Sequence, residues 1–413
     1  MKPESEIVAR QYANWSYPRP EPDLAAYTEA GNYDFSDPSL FRRKLWPKKV
    51  EPDGLEILIA GCGTIQAATY AYKNPECHVT GIDISEPSLG HEKHLKQKHN
   101  LENLDLFVMS LDEVVRLEKS YDLIVSTGVL HHLPDPDAGL RSLRDVLRPR
   151  GVISLMLYGY YRRFGVYMMQ EVFRLAKLEQ DEHGVNVVKQ TIAALPAWHH
   201  VKSYASLAPD LGYDAGFVDT FLHRQDRAYT VPQVLAFARE NGLKFQSWLD
   251  NAKYSIAEAL PPGHPLRDAA LALPKEDQWH LVELLTQSLG CHRFLLCHPD
   301  RPPSHYTLDF SVGAEPAVWL EYIPRIRFPT EILEQANLNS GAPARLGRDG
   351  HDFELSVFEA QMFDQVDGRK TIRAIVEAQP WLQNDPSQRL QLAHAFFARM
   401  ADFDHFQFEL PSV

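Results

Sequence analysis

The chain has 413 residues, 44% of them hydrophobic and 23% charged, which excludes wholesale disorder and leaves room for more than one domain. Its formal net charge of −13 repels polyphosphate, so nucleic acid is disfavoured as a partner. The start MKPESEIVAR lacks a signal-peptide core, no stretch approaches the roughly 18 apolar residues of a membrane helix, and Cys62, Cys77, Cys291 and Cys297 read as reduced thiols, so a cytoplasmic protein without membrane contact is expected.

Residues 1–50 are aromatic and proline-punctuated, with Tyr12, Trp15, Tyr17 and PRPEP, and read as an arm or lid laid over another part of the chain. The densest basic run, Arg42, Arg43, Lys44, Lys48 and Lys49, reads as a solvated face. From Leu55 the pattern changes. LEILIA predicts a buried strand, TIQAATYAYKN a helix, HVTGIDI a strand and PSLGHEKHLKQKH a helix. NLDLFVM is a third strand, LDEVVRLE a helix, YDLIVSTGVL a fourth strand, DAGLRSLRDVL a helix and GVISLMLYG a fifth strand. Helical segments and an aromatic, His-rich stretch then interrupt the rhythm over residues 160–228. TVPQVLAFARENG predicts a helix with Thr230 and Pro232 at its start and Gly242 at its stop, and KFQSWLD a sixth strand. After a second interruption at 252–289, CHRFLLCH is a seventh strand.

The fold class expected is therefore α/β: a doubly wound, seven-stranded sheet with helical insertions after strands five and six, spanning residues 51–300. PDRPPS at 299–304 is the linker, and residues 305–413 form a small C-terminal α+β or winged-helix-like domain. There Asp367-Gly368-Arg369-Lys370-Thr371-Ile372 is similar to the "DGxRT" turn of small winged-helix or peptide-binding modules. Recruitment of a protein or peptide and simple packing or homodimerisation are both open for this domain.

The first strand ends in Ala60-Gly61-Cys62-Gly63-Thr64 and leads into a helix, where glycines let backbone approach a ligand at the helix start. Asp83 ends the second strand about 20 residues further on, the spacing at which a carboxylate reaches a ribose diol. Dinucleotide enzymes and methyltransferases share this arrangement. The later segments Tyr121-Asp122-Leu123-Ile124-Val125-Ser126-Thr127-Gly128-Val129-Leu130-His131-His132-Leu133 and Leu147-Arg148-Pro149-Arg150-Gly151-Val152 resemble the fourth motif and the "LRPGG" turn of class I methyltransferases dependent on S-adenosyl-L-methionine.

That resemblance implies S-adenosyl-L-methionine as cofactor and S-adenosyl-L-homocysteine as product. It places Gly61, Cys62 and Gly63 at the methionine part, Asp83 at the ribose, Ile84, Ser110 and Leu111 at the adenine, and Thr127, Gly128 and Val129 beside the sulfonium, with Gln66 also among the cofactor-binding residues. The segment Gln11-Tyr12…Tyr17-Pro18-Arg19-Pro20 resembles a "QYEExPYPR" stretch of bacterial relatives, which implies a lid carrying Tyr17 to the cofactor; a plain packing arm is the other reading. Two positions depart from the family pattern: Ile59 stands where an acid is common, and Ile65 where a third glycine is usual. They are the support for the alternative that the chain keeps the fold as a non-catalytic binding protein recruiting a partner through its C-terminal domain.

Ligands of open α/β sheets lie beyond the carboxyl ends of the strands, so both insertions are expected to cover the site. A covered site suits methyl transfer to O or N of an enclosed acceptor, either a small molecule or a protein side chain. His131, His132 and Tyr158 are the catalytic candidates, the histidines alternatively capping the loop or packing on adenine. Tyr160, Arg163, Tyr204, Asp219, His223 and Arg224 are the candidates for the acceptor pocket. No metal is expected: Cys291-His292 and Cys297-His298 alternate along a strand without a second ligand pair, and His91, His94 and His99 lie on a Lys-rich helix read as solvated surface.

Overall fold

The computed structural model describes residues 11–12, 14–15, 17–49, 54–206, 208–311, 318–337, 339–348, 351–379 and 386–411. Its contacts divide the chain into two units. The first holds Met1–Asp34, Pro52–Trp248 and Ile256–Asp300; the second holds Phe35–Glu51, Leu249–Ser255 and Arg301–Val413.

The first unit is built on a seven-stranded sheet: β1 (Glu56–Ala60), β2 (His78–Asp83), β3 (Leu104–Val108), β4 (Tyr121–Thr127), β5 (Leu147–Tyr158), β6 (Lys244–Trp248) and β7 (Cys291–Cys297), in the order β3-β2-β1-β4-β5-β7-β6. Ile57, Leu58 and Ile59 of β1 are fully buried because helices lie on both faces, which is why this strand is an unbroken apolar run. The first five strands pair in parallel, with Ile59 opposite Gly81 of β2 and Val125 of β4. The sheet is mixed, not wholly parallel, because β7 runs antiparallel to both β5 and β6. LDEVVRLE also differs from expectation. It forms a 3₁₀ stretch, Leu111–Leu117, ended by Glu118 in the left-handed region.

Local chemistry sets the helices against this sheet. Ser85 caps the helix Glu86–Lys98 by accepting the Ser88 N–H at 3.3 Å, and Asp135 caps Pro136–Asp145 by accepting that of Ala138 at 2.9 Å. Gln233 accepts the Thr230 N–H at 2.8 Å to open Val231–Glu240, and Gly242 at φ +72° closes the turn beyond it. Residues 160–228 build a cap with its own core, in which Val166, Met169 and Phe173 of the helix Tyr160–Leu175 meet Val188 of Glu182–Ala194 and Phe221. The arm is tied to the helix Glu86–Lys98. His91 bonds Glu21 O at 2.8 Å, Lys98 pairs with Asp23 at 2.7 Å, and His99 Nε2 accepts the Leu24 N–H at 3.2 Å. Of the three histidines read as solvated, His94 alone is exposed; His91 and His99 hold the arm.

The second unit packs Phe396, Phe397 and Met400 of the helix Pro386–Asp402 with Ile372 and Ile375 of Ile372–Glu377. Two antiparallel sheets complete it: β8 (Ile323–Ile326) with β12 (Phe406–Glu409), and β10 (Ala344–Arg348) between β9 (Glu331–Glu334) and β11 (His351–Leu355). The Asp367 turn is a helix lead-in: its carboxylate accepts the N–H groups of Arg369 and Lys370, and Thr371 caps Ile372–Glu377. The basic run at 42–49 is only in part a solvated face: Lys49 is exposed, and Arg43 and Lys44 are turned to carboxylates. Arg43 pairs with Glu409 at 3.0 Å and Lys44 with Asp404 at 2.6 Å, both within this unit. No helix among the described residues is long and apolar enough to cross a membrane.

Candidate active site

A cavity of about 360 Å³ opens at the carboxyl ends of β1, β2, β4 and β5. At its floor the chain leaves β1 through Gly61 at φ +80° and Gly63 at φ +59°. A Cβ on Gly61 would stand 2.3 Å from Val129 Cγ2, so a glycine is required for the two loops to approach. Asp83, at the end of β2, accepts the Gly63 N–H and the Ser85 N–H, each at 2.8 Å. Burial raises its pKa, while the N–H groups of Ser85, Gly63 and Ile84 oppose the shift. Every residue expected to hold a cofactor lines this cavity: Gly61, Cys62, Gly63 and Gln66; Asp83, Ile84, Ser110 and Leu111; Thr127, Gly128 and Val129; and Tyr17 from the arm. Thr64 Oγ1 donates to Pro18 O at 3.1 Å, fixing the arm above the glycine loop.

Beneath the loop, Glu92 accepts the Ala67 and Ala68 N–H groups at 3.0 and 2.8 Å, satisfying the start of the helix Gln66–Lys73. Burial pushes its pKa up from 4.5 to about 8. The folded chain therefore holds a proton that the unfolded chain releases. The contribution to stability is full below about 4.5 and is lost as the pH rises through about 8. Glu92→Gln is expected to flatten the fall in melting temperature between about pH 5 and about pH 9, as thermal unfolding across that range will show. An unchanged slope would refute it.

At the other end of the cavity stand Tyr12, Tyr17, His132, Tyr158 and Asp219. Asp219 lies on a π-helical turn, Val218–Leu222, of the cap. Its carboxylate accepts the Tyr12 hydroxyl at 3.0 Å and the Tyr158 hydroxyl at 3.3 Å. Burial raises the pKa of Asp219, and it holds both phenols well above their ordinary value, with Asp219 adding to the shift. His132 Nδ1 lies 2.8 Å from Gln225 O. A carbonyl oxygen can only accept, so Nδ1 carries the hydrogen and the neutral ring keeps its lone pair on Nε2. His223 has the opposite tautomer, because its Nδ1 accepts the Gln225 N–H at 3.0 Å. It stacks on His132 with ring centroids 3.9 Å apart. One ligand atom each of His132, Asp219 and His223 lie within 4.8 Å of one another, as do those of His131, His132 and Asp226.

Other candidates stand behind this wall. His131 does not line the cavity. It stacks on Tyr158 at 3.9 Å, burial depresses its pKa well below 6.5, and neither ring nitrogen has a hydrogen-bond partner among the described residues. Arg163 sits 3.6 Å over the Tyr158 ring, pairs with Asp226 at 3.1 Å and donates to Tyr204 Oη at 2.8 Å, so Arg163 and Tyr204 brace Tyr158 from outside the cavity. Tyr160 opens the helix Tyr160–Leu175 and faces outward, and Arg224 pairs with Glu179 at the surface. Neither lines the cavity, nor does any residue of the 252–289 insertion. That insertion instead sends Glu283 to the Val231 N–H at 2.9 Å and to His292 at 3.2 Å. Sequence reasoning left out Asp34, Tyr27 and Tyr33, which reach the cavity from the arm without any local motif.

Residues 58–153 match the model of a family described as "Methyltransferase domain". An uncharacterized protein of Synechococcus sp. is 30% identical over 247 residues, 58% of this chain and 59% of that protein. A ubiquinone biosynthesis O-methyltransferase of Neisseria meningitidis serogroup C is 25% identical over 101 residues, 24% of this chain and 42% of the enzyme. The chain thus spans less than two thirds of the length of these relatives. Among solved structures, PKMT2 from Rickettsia typhi in complex with AdoHcy superposes with a TM-score of 0.65 at 14% identity, covering 92% of this chain and 76% of that one, a likeness of fold. The sheet order, the glycine loop and the match over 58–153 define a Rossmann-like methyltransferase fold. Residues 58–153 of this chain thus match a methyltransferase domain, on a fold shared with a protein solved in complex with AdoHcy.

Proposed function

We propose that the protein is an S-adenosylmethionine-dependent methyltransferase whose acceptor is an amine nitrogen. One observation carries the reading: a single cavity runs from the Asp83 carboxylate and the glycine loop to a second carboxylate, the buried Asp219, which two tyrosine hydroxyls hold and beside which His132 lines the wall. The residues fit a cationic cofactor. Asp34, Asp83 and Asp219 line the cavity together with tyrosine rings, and no Lys or Arg among the described residues does.

S-adenosylmethionine supplies, when bound, a methyl group on a positively charged sulfur that departs as a neutral thioether. The chain's part is to hold the acceptor in line and manage one proton. An amine enters as an ammonium ion, which the Asp219 carboxylate attracts in a pocket lined by Tyr12, Tyr17 and Tyr158. A carboxylate acceptor would be repelled by the same group. His132 Nε2 takes a proton from the ammonium and frees the nitrogen lone pair to form the N–C bond. Gln225 O holds the ring in the tautomer this requires, and Arg163 with Asp226 fixes Tyr158 against which the acceptor packs. The Tyr17 and Pro18 stretch of the arm acts as the lid that keeps water out.

Calorimetric titration with S-adenosylhomocysteine tests the reading. The wild-type protein is expected to bind, and Asp83→Ala to bind about 10- to 100-fold more weakly, as loss of a charged hydrogen-bond acceptor implies. Methyl transfer to primary amines in preference to carboxylates completes the test. Absence of wild-type binding, or exclusive carboxylate methylation, would overturn it.

A further inference from the structure

We infer that Asp34, delivered by the N-terminal arm, holds the α-ammonium group of the cofactor's methionine portion, the task for which β1 offers no acid. The inference rests on the reading of the cavity as an S-adenosylmethionine site. Ile59 is fully buried in the sheet and does not line the cavity, so β1 brings no carboxylate to it. Among the described residues three carboxylates line the cavity, Asp34, Asp83 and Asp219. Asp83 is fixed by the Gly63 and Ser85 N–H groups beside the glycine loop, and Asp219 by two tyrosine hydroxyls at the acceptor end.

Asp34 is the third. Gln66 Nε2 donates to its Oδ2 at 2.8 Å and to Thr127 Oγ1 at 3.2 Å, so the carboxylate is wired across the cavity to the end of β4. That bridge sets a negative charge between the start of the helix Gln66–Lys73 and the strand end next to Gly128. The arm is held in register for it. Lys73 Nζ donates to Asn32 O at 3.0 Å, and Asn32 Nδ2 donates to Tyr27 O at 2.9 Å. A buried ammonium needs a charged partner, and the acid here comes from about 25 residues before the strand that lacks one.

The experiment compares S-adenosylhomocysteine with its analogue lacking the α-amino group, by calorimetry on the full chain and on Asp34→Asn. The variant is expected to bind S-adenosylhomocysteine at least about tenfold more weakly than wild type, and the analogue within about twofold of wild type. Equal weakening of both ligands, or of neither, would overturn the assignment while leaving the proposed function standing. A wild-type protein that binds neither ligand would overturn both. Because the analogue reports on the same fold, loss of structure in the variant registers as equal weakening, and matched thermal melts separate that case.

Discussion

His132→Ala is expected to lower turnover with an amine acceptor by about 10²- to 10⁴-fold near neutral pH, with affinity for S-adenosylhomocysteine changed by less than about threefold. The expectation follows from the tautomer. With Nδ1 committed to Gln225 O, the neutral ring of His132 has its lone pair on Nε2, one ring nitrogen lies within 4.8 Å of an Asp219 oxygen, and at neutral pH an aliphatic amine carries a proton that must leave before nitrogen can attack. The neighbouring histidines do not replace it. His223 accepts through Nδ1 and so keeps its hydrogen on Nε2, and His131 is stacked behind Tyr158 outside the cavity. A proton-taking role has a signature that a packing role lacks: the variant should regain activity as pH rises toward the pKa of the free amine, because bulk water then supplies the neutral nucleophile. Steady-state rates across that range check it. A variant with wild-type turnover, or one whose deficit is the same at every pH, would show that the imidazole only packs. Asp219→Asn should act differently, raising KM for the amine more than it lowers kcat, since the carboxylate attracts the ammonium before the proton leaves.

Much of this site was legible because its signals are local. Gly61, Gly63 and Asp83 lie at the ends of two apolar strands, and the parallel pairing of those strands brings the ends together. Thr127 to His132 follow from the next strand by the same logic. Asp34 was not legible. It has no motif, and its position depends on contacts such as His91 with Glu21 and Lys73 with Asn32, which join residues about 40 to 70 positions apart. Asp219 was named on the cap, though nothing in its neighbourhood set it apart from Tyr160 or Arg224; what distinguishes it is the phenol of Tyr12, from the far end of the unit's chain. The division of the chain was hidden for a related reason. Residues 35–51 and 249–255 carry no composition change that marks them as companions of 301–413, because hydrophobic periodicity reports burial without naming the partner. The antiparallel sense of β7 is equally silent in CHRFLLCH, where alternation is the same in either direction.

Those companion segments carry the second large effect. Asp404→Ala is expected to cost the second unit about 3–5 kcal/mol, the range for removing one partner of a buried ionic group. Asp404 is buried, accepts from Lys44 Nζ at 2.6 Å and the Asn251 N–H at 2.7 Å, and forms an ion pair with Arg327 Nη1 at 3.8 Å. Asp250, from the 249–255 segment, lies 3.4 Å from Arg348 and 3.8 Å from Arg327. Asp404 and Asp250 thus both face Arg327, with Lys44 on the first and Arg348 on the second, and removing Asp404 takes one of these two charges away. Burial already lowers the pKa of Lys44, and Asp404 opposes that shift, so the variant should also make Lys44 easier to neutralise. Asp404 sits at φ +55°, where alanine is strained and asparagine is tolerated. Asp404→Asn separates the two causes: it retains the backbone and should still lose most of the stability, because the missing charge dominates. Lys44→Met in the Asp404→Asn background should restore part of the loss by removing the ammonium that Asp404 pairs with. Urea unfolding followed by far-ultraviolet circular dichroism measures all three. A loss below about 1 kcal/mol in Asp404→Asn, or no recovery in the double variant, would mean that the cluster is organised by packing around Arg327 and Arg348 and that its ion pairs contribute little.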